Sequence, residues 1–204
     1  MTYGVLTVCL NSARTIGRTI DSVIAQTLPA AHYVFVDGGS TDGTLAILRD
    51  GEQRARAAGL EIRFQVLAQK TGGGITEAWN MGLAIFEPDV VFILNSDDYY
   101  EKDAAEIVMQ AFARDSNAGI VLASGRYFRE GSDQAIVCNN RPLWTLPFAM
   151  AVIHPGCFVL KNVYKEVGPF DTSYRVSADY DFIYRCHKAG VRFLDLNKTL
   201  VNVQ

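Results

Sequence analysis

The sequence lacks the features that would place it inside a membrane or on a nucleic acid. Its 204 residues contain no apolar stretch that approaches the roughly 20 residues needed to cross a bilayer. The N-terminus goes directly into a strand-like pattern, without the basic start and cleavage site of a signal peptide. The formal net charge of −3 argues against a broad basic surface for nucleic acid. We therefore expect a cytoplasmic protein, which a partner could still hold at the inner face of the membrane.

Catalytic and metal-binding signatures built on cysteine, histidine and serine are also missing. The four cysteines are scattered, with no Cys-x-x-Cys pair and no zinc-like spacing, so we expect reduced structural thiols. Three histidines are too few for a His-rich metal site. There is no Gly-x-Ser-x-Gly elbow, no His-Glu-x-x-His helix and no kinase-type set of loops.

What the sequence does contain is a regular alternation of strand-like and helix-like segments over its first half. Hydrophobic residues make up 49% and charged residues 20%, as in an ordinary globular protein of one domain. The pattern predicts strands at 4–10, 32–37, 61–67 and 90–95, and helices at 12–27, 42–58, 75–86 and 102–114. Such alternation implies right-handed crossovers, so we expect an α/β fold with a mostly parallel sheet flanked by helices.

The pattern changes after residue 115. Short runs at 119–123, 125–129, 134–137 and 153–160 are separated by polar loops and predict a smaller mixed or antiparallel region. A helix at 178–189 and a strand at 191–196 follow, and the loop at 139–147 is a candidate acceptor-facing flap. We expect one domain over 1–204, with halves at 1–115 and 116–204. Because the last four residues read as the middle of an element, we also expect the sequence to be truncated at its C-terminus.

Two adjacent acids, Asp97 and Asp98, end the most apolar strand-like run of the chain, in the segment 90–98. Two carboxylates are costly to desolvate unless a positive group lies against them. A hard divalent cation held with a diphosphate would meet this need, because such ions take oxygen ligands and bridge phosphates. The alternative is a solvated strand-to-helix turn in which Asp98 or Asp103 caps the next helix.

Two more strand ends carry polar residues, Asn11 and Asp37. Because open parallel sheets bind ligands outside the carboxyl ends of their strands, we expect Asn11, Asp37 and Asp97 to meet at one edge. The glycines after Asp37 permit a close backbone approach, and the acid could accept hydrogen bonds from a base or ribose. A tight turn with a helix cap is the alternative there. The glycines at 72–74 form a flexible turn beside the same edge and do not complete a P-loop.

Candidate catalytic groups lie in the second half. Asp179 and Asp181 open the last predicted helix, where acids are favoured by the helix dipole alone. One of them could instead be a general base that deprotonates an attacking hydroxyl. His154 could contact a ligand or be structural.

These segments, in this order, resemble the inverting family 2 glycosyltransferases with the GT-A (Rossmann-like) fold, of the polysaccharide-biosynthesis and colanic-acid type. The similarity covers nearly the whole chain and lies in residues 6–12 with 22–27, 36–44, 74–82, 94–98, 154–156 with 167–171, and 177–182.

The resemblance implies a role for each matching residue. It implies donor-binding roles, with Asp37 meeting the base, for Leu10, Asn11, Asp37, Gly38, Gly74, Glu77, Asn80 and Ser96. It implies metal-binding positions at Asp97 and Asp98, of which Asp97 is the favoured ligand and Asp98 a supporting acid. It implies that Asp179 is the base, and it places His154, Gly156 and Asp181 on the acceptor side.

The sequence departs from the family pattern at three places. Asn95 replaces the first acid of the usual metal pair, so we expect weak metal affinity without nucleotide. Thr76 and Glu77 replace the commoner Tyr-Asp, and Ala178 stands where many relatives carry Glu. The processive Gln-x-x-Arg-Trp motif is absent from these residues, which disfavours a polymerising synthase.

We therefore expect an inverting transferase that moves a sugar from a nucleotide-diphosphate sugar, UDP-linked, to a glycan or lipid-linked acceptor in cell-surface polysaccharide biosynthesis. The expected cofactor is Mg²⁺ or Mn²⁺. Expected partners include no nucleic acid, while peripheral membrane association and a homodimer stay open. Two alternatives remain: a non-catalytic sugar- or nucleotide-binding domain of the same fold, and a nucleotidyltransferase that makes nucleotide sugars. The latter needs a glycine-rich loop after the first strand, and Asn11-Ser12-Ala13-Arg14 is not one.

Overall fold

A single sheet runs through the protein, whose computed structural model describes residues 1–70, 72–128 and 134–204. Within these residues the sheet has nine strands in the order β3-β2-β1-β4-β8-β6-β9-β5, with β7 paired to β6. The strands are β1 (Tyr3–Cys9), β2 (His32–Asp37), β3 (Arg63–Ala68), β4 (Val90–Ile93), β5 (Tyr99–Tyr100), β6 (Ala118–Phe128), β7 (Ala135–Cys138), β8 (Cys157–Leu160) and β9 (Arg192–Val203).

The first half of the sheet is parallel. β1 pairs in parallel with β2 on one side and with β4 on the other, and β3 continues the sheet beyond β2. Strands β1, β2 and β4 are apolar along most of their length and are buried on both faces, as expected for strands covered by helices on both sides. Their carboxyl ends lie side by side at one edge.

The second half of the sheet is mixed. β8 lies antiparallel between β4 and β6, and β6 pairs in parallel with β9 through three register shifts. The two-residue β5 and the hairpin partner β7 are both antiparallel to their neighbours. The expected α/β fold with a mixed second region is therefore confirmed.

Helices cover both faces of this sheet. They are α1 (Ile16–Ile24), α2 (Thr44–Ala57), α3 (Ile75–Ile85), α4 (Ala104–Arg114), α5 (Lys161–Val167) and α6 (Ala178–Lys188). Alternate residues of each strand separate the two layers: Tyr33 and Phe35 pack on the face of α1, α2 and α4, whereas Val34 and Val36 pack on the face of α3, α5 and α6. None of the described helices has the length and apolar character required to cross a bilayer.

Several predicted boundaries were wrong in the second half. The runs predicted at 119–123 and 125–129 belong to one strand, β6, up to residue 128, and residue 129 lies outside the described residues. Gly125 does not interrupt the strand, because its lack of a side chain accommodates Ile153 packed against it. The strand predicted at 191–196 continues to Val203 as β9. The short elements α5 and β5 were missed. α5 has fewer than two helical turns and β5 only two residues, so neither is long enough to show a periodic pattern of apolar residues.

Candidate active site

Three strand ends meet at the carboxyl edge of the parallel half. The segment after β1 contacts the segment after β4 through Ser12 and Ser96, whose hydroxyl oxygens lie 2.8 Å apart. The loop after β2 lies beside them, because the backbone N–H of Gly38 donates to the carbonyl of Cys9 at 2.9 Å. The predicted convergence of Asn11, Asp37 and the acidic segment follows from this topology.

The loop after β2 is built around Asp37 and Asn11. The Oδ2 atom of Asp37 accepts hydrogen bonds from the backbone N–H groups of Gly39 and Ser40, each at 3.0 Å. Asn11, in the left-handed region with φ of 50°, accepts the backbone N–H of Thr41 at 2.9 Å through its Oδ1. Asp37 is 3% exposed, so its carboxylate organises the loop from beneath rather than standing free in solvent.

A cavity of about 490 Å³ opens beside this loop, between the ends of β1 and β2 and the start of α3. That size lies within the range of small-molecule and cofactor sites. Three predicted donor residues, Leu10, Gly38 and Ser96, line the cavity. A Cβ added at Gly38 would lie 3.4 Å from the Leu10 side chain, in van der Waals contact with it.

The floor of the cavity on the α3 side is formed by the glycine turn. Gly73 lines the cavity, and a side chain at this position would clash with Gln69 and with the predicted donor residue Glu77. Gln69 fixes the turn by donating to the carbonyl of Gly74 at 2.9 Å. Thr71, part of the predicted turn, lies outside the described residues.

The acidic segment after β4 holds one deeply buried carboxylate. Asp98 is 1% exposed, and its two oxygens accept hydrogen bonds from the Asn95 side-chain N–H at 3.0 Å and from the Gln204 backbone N–H at 3.2 Å. Burial, and secondarily the negative charge of Asp97, raises the pKa of Asp98 to about 7. The carboxylate of Asp98 therefore faces the protein, and that of the half-buried Asp97 is the more accessible of the two.

The chemistry of this segment fits a hard cation that also has other ligands. The Oδ1 atom of Asn95 is buried and has no hydrogen-bond partner among the residues that the structure describes. An amide oxygen beside two carboxylates is a suitable ligand for Mg²⁺ or Mn²⁺. The described residues contain no cluster of three or more acidic, histidine or cysteine side chains, so phosphate oxygens would have to complete the coordination.

The predicted acceptor side centres on His154 and Asp179. His154 begins a short 3₁₀ turn, His154–Gly156, that leads into β8. Asp179 lies in the first turn of α6, which starts after Ser177 in the left-handed region. Burial lowers the pKa of His154, and the negative charge of Asp179 opposes that shift, so the two groups lie close enough to interact. Gly156 leaves no room for a side chain, because an added Cβ would meet the Ala123 carbonyl.

Two residues predicted to lie in the site, Asn80 and Asp181, support the loop before α6 and do not line the cavity. The side chain of Asn80 donates to the Phe170 carbonyl at 2.7 Å and accepts the Phe170 N–H at 3.0 Å. Asp181 pairs with Arg185 at 2.8 Å, and Arg185 donates to the carbonyls of Val167 and Pro169 at 2.8 Å each. Both side chains therefore fix the segment that precedes the candidate base.

Sequence reasoning assigned neither Trp79 nor Phe170 to the site. The ring of Trp79 packs against His154 at a centroid distance of 5.0 Å and against Phe170 at 4.9 Å. Trp79 could have been noticed from the sequence. It lies between Ala78 and Asn80 in a segment otherwise similar to the family pattern, and it replaces the methionine that is usual at this position.

Comparisons with known proteins agree with this architecture. A family model described as "Glycosyl transferase family 2" matches residues 4–163. The chain is 28% identical to a chondroitin synthase of Pasteurella multocida over 94% of its own length and 19% of that protein. It is 29% identical to a PGL/p-HBAD biosynthesis glycosyltransferase of Mycobacterium bovis, over 90% of this chain and 69% of that protein.

Solved structures share the fold at lower sequence identity. The structure of Staphylococcus aureus TarS residues 1–349 in complex with UDP superposes with a TM-score of 0.79 at 21% identity, covering 99% of this chain and 60% of that one. A mannosyltransferase of Pyrobaculum calidifontis in complex with GDP-Man and Mn²⁺ gives a TM-score of 0.74 at 18% identity, covering 98% and 56%. The chain thus spans a small part of the first of these relatives and somewhat over half of the others.

Proposed function

The chain belongs to glycosyl transferase family 2, and from this premise we propose that it is an inverting transferase with a UDP-sugar donor and a hydroxyl acceptor on a glycan or lipid-linked molecule. One observation carries the proposal: Ala78 of α3 lines a cavity of about 490 Å³ at the carboxyl edge of the parallel strands, and the next residue, Trp79, packs against His154, on which the charge of the half-buried Asp179 acts. The S. aureus relative of the same fold, solved with UDP, supports the choice of nucleotide.

The donor occupies the cavity in this proposal. The base and ribose lie against Leu10 and Gly38, near the buried carboxylate of Asp37. Asn11 holds the same loop by accepting the hydrogen bond from the backbone N–H of Thr41. The glycine turn that ends at Gly74, with the exposed Glu77 beside it, borders the sugar. The exposed start of α3 also offers free backbone N–H groups, which favour an anionic ligand.

Asp179 acts as the general base. Its carboxylate forms no hydrogen bond or ion pair within residues 1–70, 72–128 and 134–204, so its oxygens are free to accept the proton of an acceptor hydroxyl. As the hydroxyl oxygen bonds to the anomeric carbon, the bond to the diphosphate breaks, and a single displacement inverts the configuration. Asp181, the neighbouring acid, is paired with Arg185 and is not available as a nucleophile for a second displacement.

A divalent cation, Mg²⁺ or Mn²⁺, belongs at the acidic segment after β4. Asn95 and Asp97 would hold it together with the donor's phosphates, and Asp98 would support them from behind. When bound, the ion supplies positive charge that stabilises the departing diphosphate. Ser96 belongs to the same segment and also lines the cavity, so it would lie beside the nucleotide.

The setting of the reaction follows from the same proposal. The product is a cell-surface polysaccharide or glycolipid precursor assembled on the cytoplasmic side of the membrane, with peripheral attachment of the enzyme and a homodimer as further expectations. Nucleic acid is not a partner, because the net charge is −3.

Calorimetry and a donor panel test the proposal. UDP should bind with Mn²⁺ present and more weakly without it, and Asp97→Ala should remove the difference. The intact protein should release UDP from at least one sugar nucleotide of the panel. Asp179→Asn should keep UDP affinity and lose about 10²–10⁴-fold in turnover. The exposed Asp50→Asn, which lies in α2, is the matched control and should change neither. Nucleotide binding without any release would instead identify a binding module.

A further inference from the structure

Three polar groups without a hydrogen-bond partner in the described residues lie together on the acceptor side. The indole Nε1 of Trp79 is buried and unpaired. The imidazole of His154 and the carboxylate of Asp179 likewise form no hydrogen bond or ion pair with the described part of the chain. A buried polar atom without a partner, such as the Trp79 nitrogen, is costly. His154 and Asp179 are only half-buried, so a ligand can reach their polar atoms.

Trp79 fixes the position of the imidazole. Its ring, 6% exposed, packs against His154 with centroids 5.0 Å apart and an interplanar angle of 49°. Phe170 packs edge-on against the same imidazole, with ring centroids 6.1 Å apart, and it also packs against Trp79 at 4.9 Å. Phe170 is itself held by the two hydrogen bonds to Asn80. The imidazole is therefore confined by α3 and by the loop before α6.

Asp179 faces this confined imidazole without direct contact. The two groups interact through charge, yet no hydrogen bond or ion pair joins them. The negative charge of Asp179 also acts on the thiol of Cys157, which is buried and whose pKa is raised well above its ordinary value. Because that thiol stays neutral, His154 is the one of these two neighbours that can gain a charge, and burial lowers its pKa below the ordinary histidine value.

We propose that Trp79 positions His154 opposite Asp179, so that the acceptor hydroxyl is held between the imidazole and the carboxylate. This inference rests on the proposed transferase function. The hydroxyl donates a hydrogen bond to the carboxylate of Asp179 and accepts a hydrogen bond from the imidazole N–H of His154. When the oxygen–carbon bond forms, the proton passes to Asp179 and the sugar–phosphate bond breaks, with the electron pair leaving on the nucleotide diphosphate. Trp79 is a positioning residue, and His154 binds the acceptor.

The positioning can be tested without any enzymatic activity, because the sequence has two tryptophans and the other one, Trp144, is 71% exposed. In Trp144→Phe, the remaining fluorescence comes from Trp79. A protonated imidazole quenches an indole that it contacts, so the intensity should fall as pH is lowered through the His154 titration. In the double variant Trp144→Phe, His154→Gln, this fall in fluorescence should be absent. Adding Asp179→Asn should move its midpoint to lower pH, because the negative charge that favours imidazolium is gone. Far-UV circular dichroism confirms that each variant is folded.

A fluorescence step that survives His154→Gln, or a midpoint that Asp179→Asn leaves unchanged, overturns the proposed arrangement. The second arm measures transfer to a panel of aryl glycosides with a UDP-sugar donor. His154→Gln and Trp79→Phe should raise the acceptor KM about 3- to 10-fold, the value of one lost hydrogen bond, with UDP affinity unchanged. The exposed Asp50→Asn in α2 is the control for this arm and should leave the acceptor KM unchanged. An unchanged acceptor KM refutes the bridging role. If no sugar is transferred at all, the proposed function fails, and the fluorescence titration still decides the position of His154.

Discussion

Asp98 should make the ligand-free protein less stable as pH rises, and Asp98→Asn should remove that effect. The carboxyl is 1% exposed and lies beside Asp97, and its pKa is raised from 3.8 to about 7. Between these values the unfolded chain releases a proton that the folded protein keeps, so the free energy of unfolding falls with increasing pH. A shift of about three units corresponds to about 4 kcal/mol, lost progressively between about pH 4 and pH 7.

Asparagine can replace this carboxylate with little rearrangement. Its side-chain oxygen can keep the hydrogen bond from the Gln204 N–H, and its N–H₂ group would then face Asn95. Rotation of the Asn95 amide turns the Oδ1 atom, which has no partner within the described residues, toward that new donor. We therefore expect Asp98→Asn to stabilise the protein by up to about 4 kcal/mol at pH 8 and to have almost no effect below pH 4.

Urea unfolding at a series of pH values, in the presence of a chelator, measures the difference. Asp103→Asn is the matched control, because the Asp103 side chain is exposed and pairs with the exposed Lys198, so this variant should change stability by less than about 1 kcal/mol at any pH. When Mn²⁺ and UDP are added, the wild type should become more stable than Asp98→Asn. A stability gain in Asp98→Asn that is equal at pH 4 and pH 8, or a loss at pH 8, would refute the reasoning.

Three further substitutions test the packing that supports the site. Gly82→Ala should lose about 1–3 kcal/mol in urea unfolding, because an added Cβ overlaps the Leu6 side chain between α3 and β1; an unchanged midpoint would contradict this close contact. Asn80→Ala should lose about 1–3 kcal/mol and reduce turnover more than UDP affinity, since both backbone groups of Phe170 lose their partner; equal effects on the two would argue against a positioning role. The pKa of the buried His32 is lowered, chiefly by burial, so stability should fall as pH drops below about 6.5, and His32→Leu should flatten that acid limb in unfolding curves.

Much of the first half of the fold could be predicted, because each of its strands and helices has a clear pattern of apolar residues along most of its length. The run Val90–Ile93 is apolar at every position and is buried on both faces, as predicted. The second half could not be assigned so well, since pairing there depends on distant segments. β9 pairs with β6 across three register shifts, and no local pattern encodes where those shifts fall. Local sequence therefore located the strands but not their partners.

The candidate site shows the same division. Asn11, Asp37 and Ser96 could be placed at one edge because strand ends in a parallel sheet share that edge. The role of Asn80 could not be derived, because its partner, the backbone of Phe170, is 90 residues away in sequence. Asp181 and Arg185 are instead an i,i+4 pair within α6, which sequence spacing alone could have indicated. Sequence reasoning thus identifies side chains with the right chemistry more readily than the contacts that orient them.

Helix α3 joins the proposed donor and acceptor sides through three consecutive residues. Ala78 lines the cavity, Trp79 packs against His154, and Asn80 holds Phe170. Successive residues of an α-helix point about 100° apart, so three in a row can face three different neighbours. A rigid shift of α3 would therefore move the cavity wall, the imidazole and the loop before the base together. For this reason Gly82→Ala, which displaces α3 from β1, should weaken UDP binding and turnover in parallel, whereas Asn80→Ala should affect chiefly turnover.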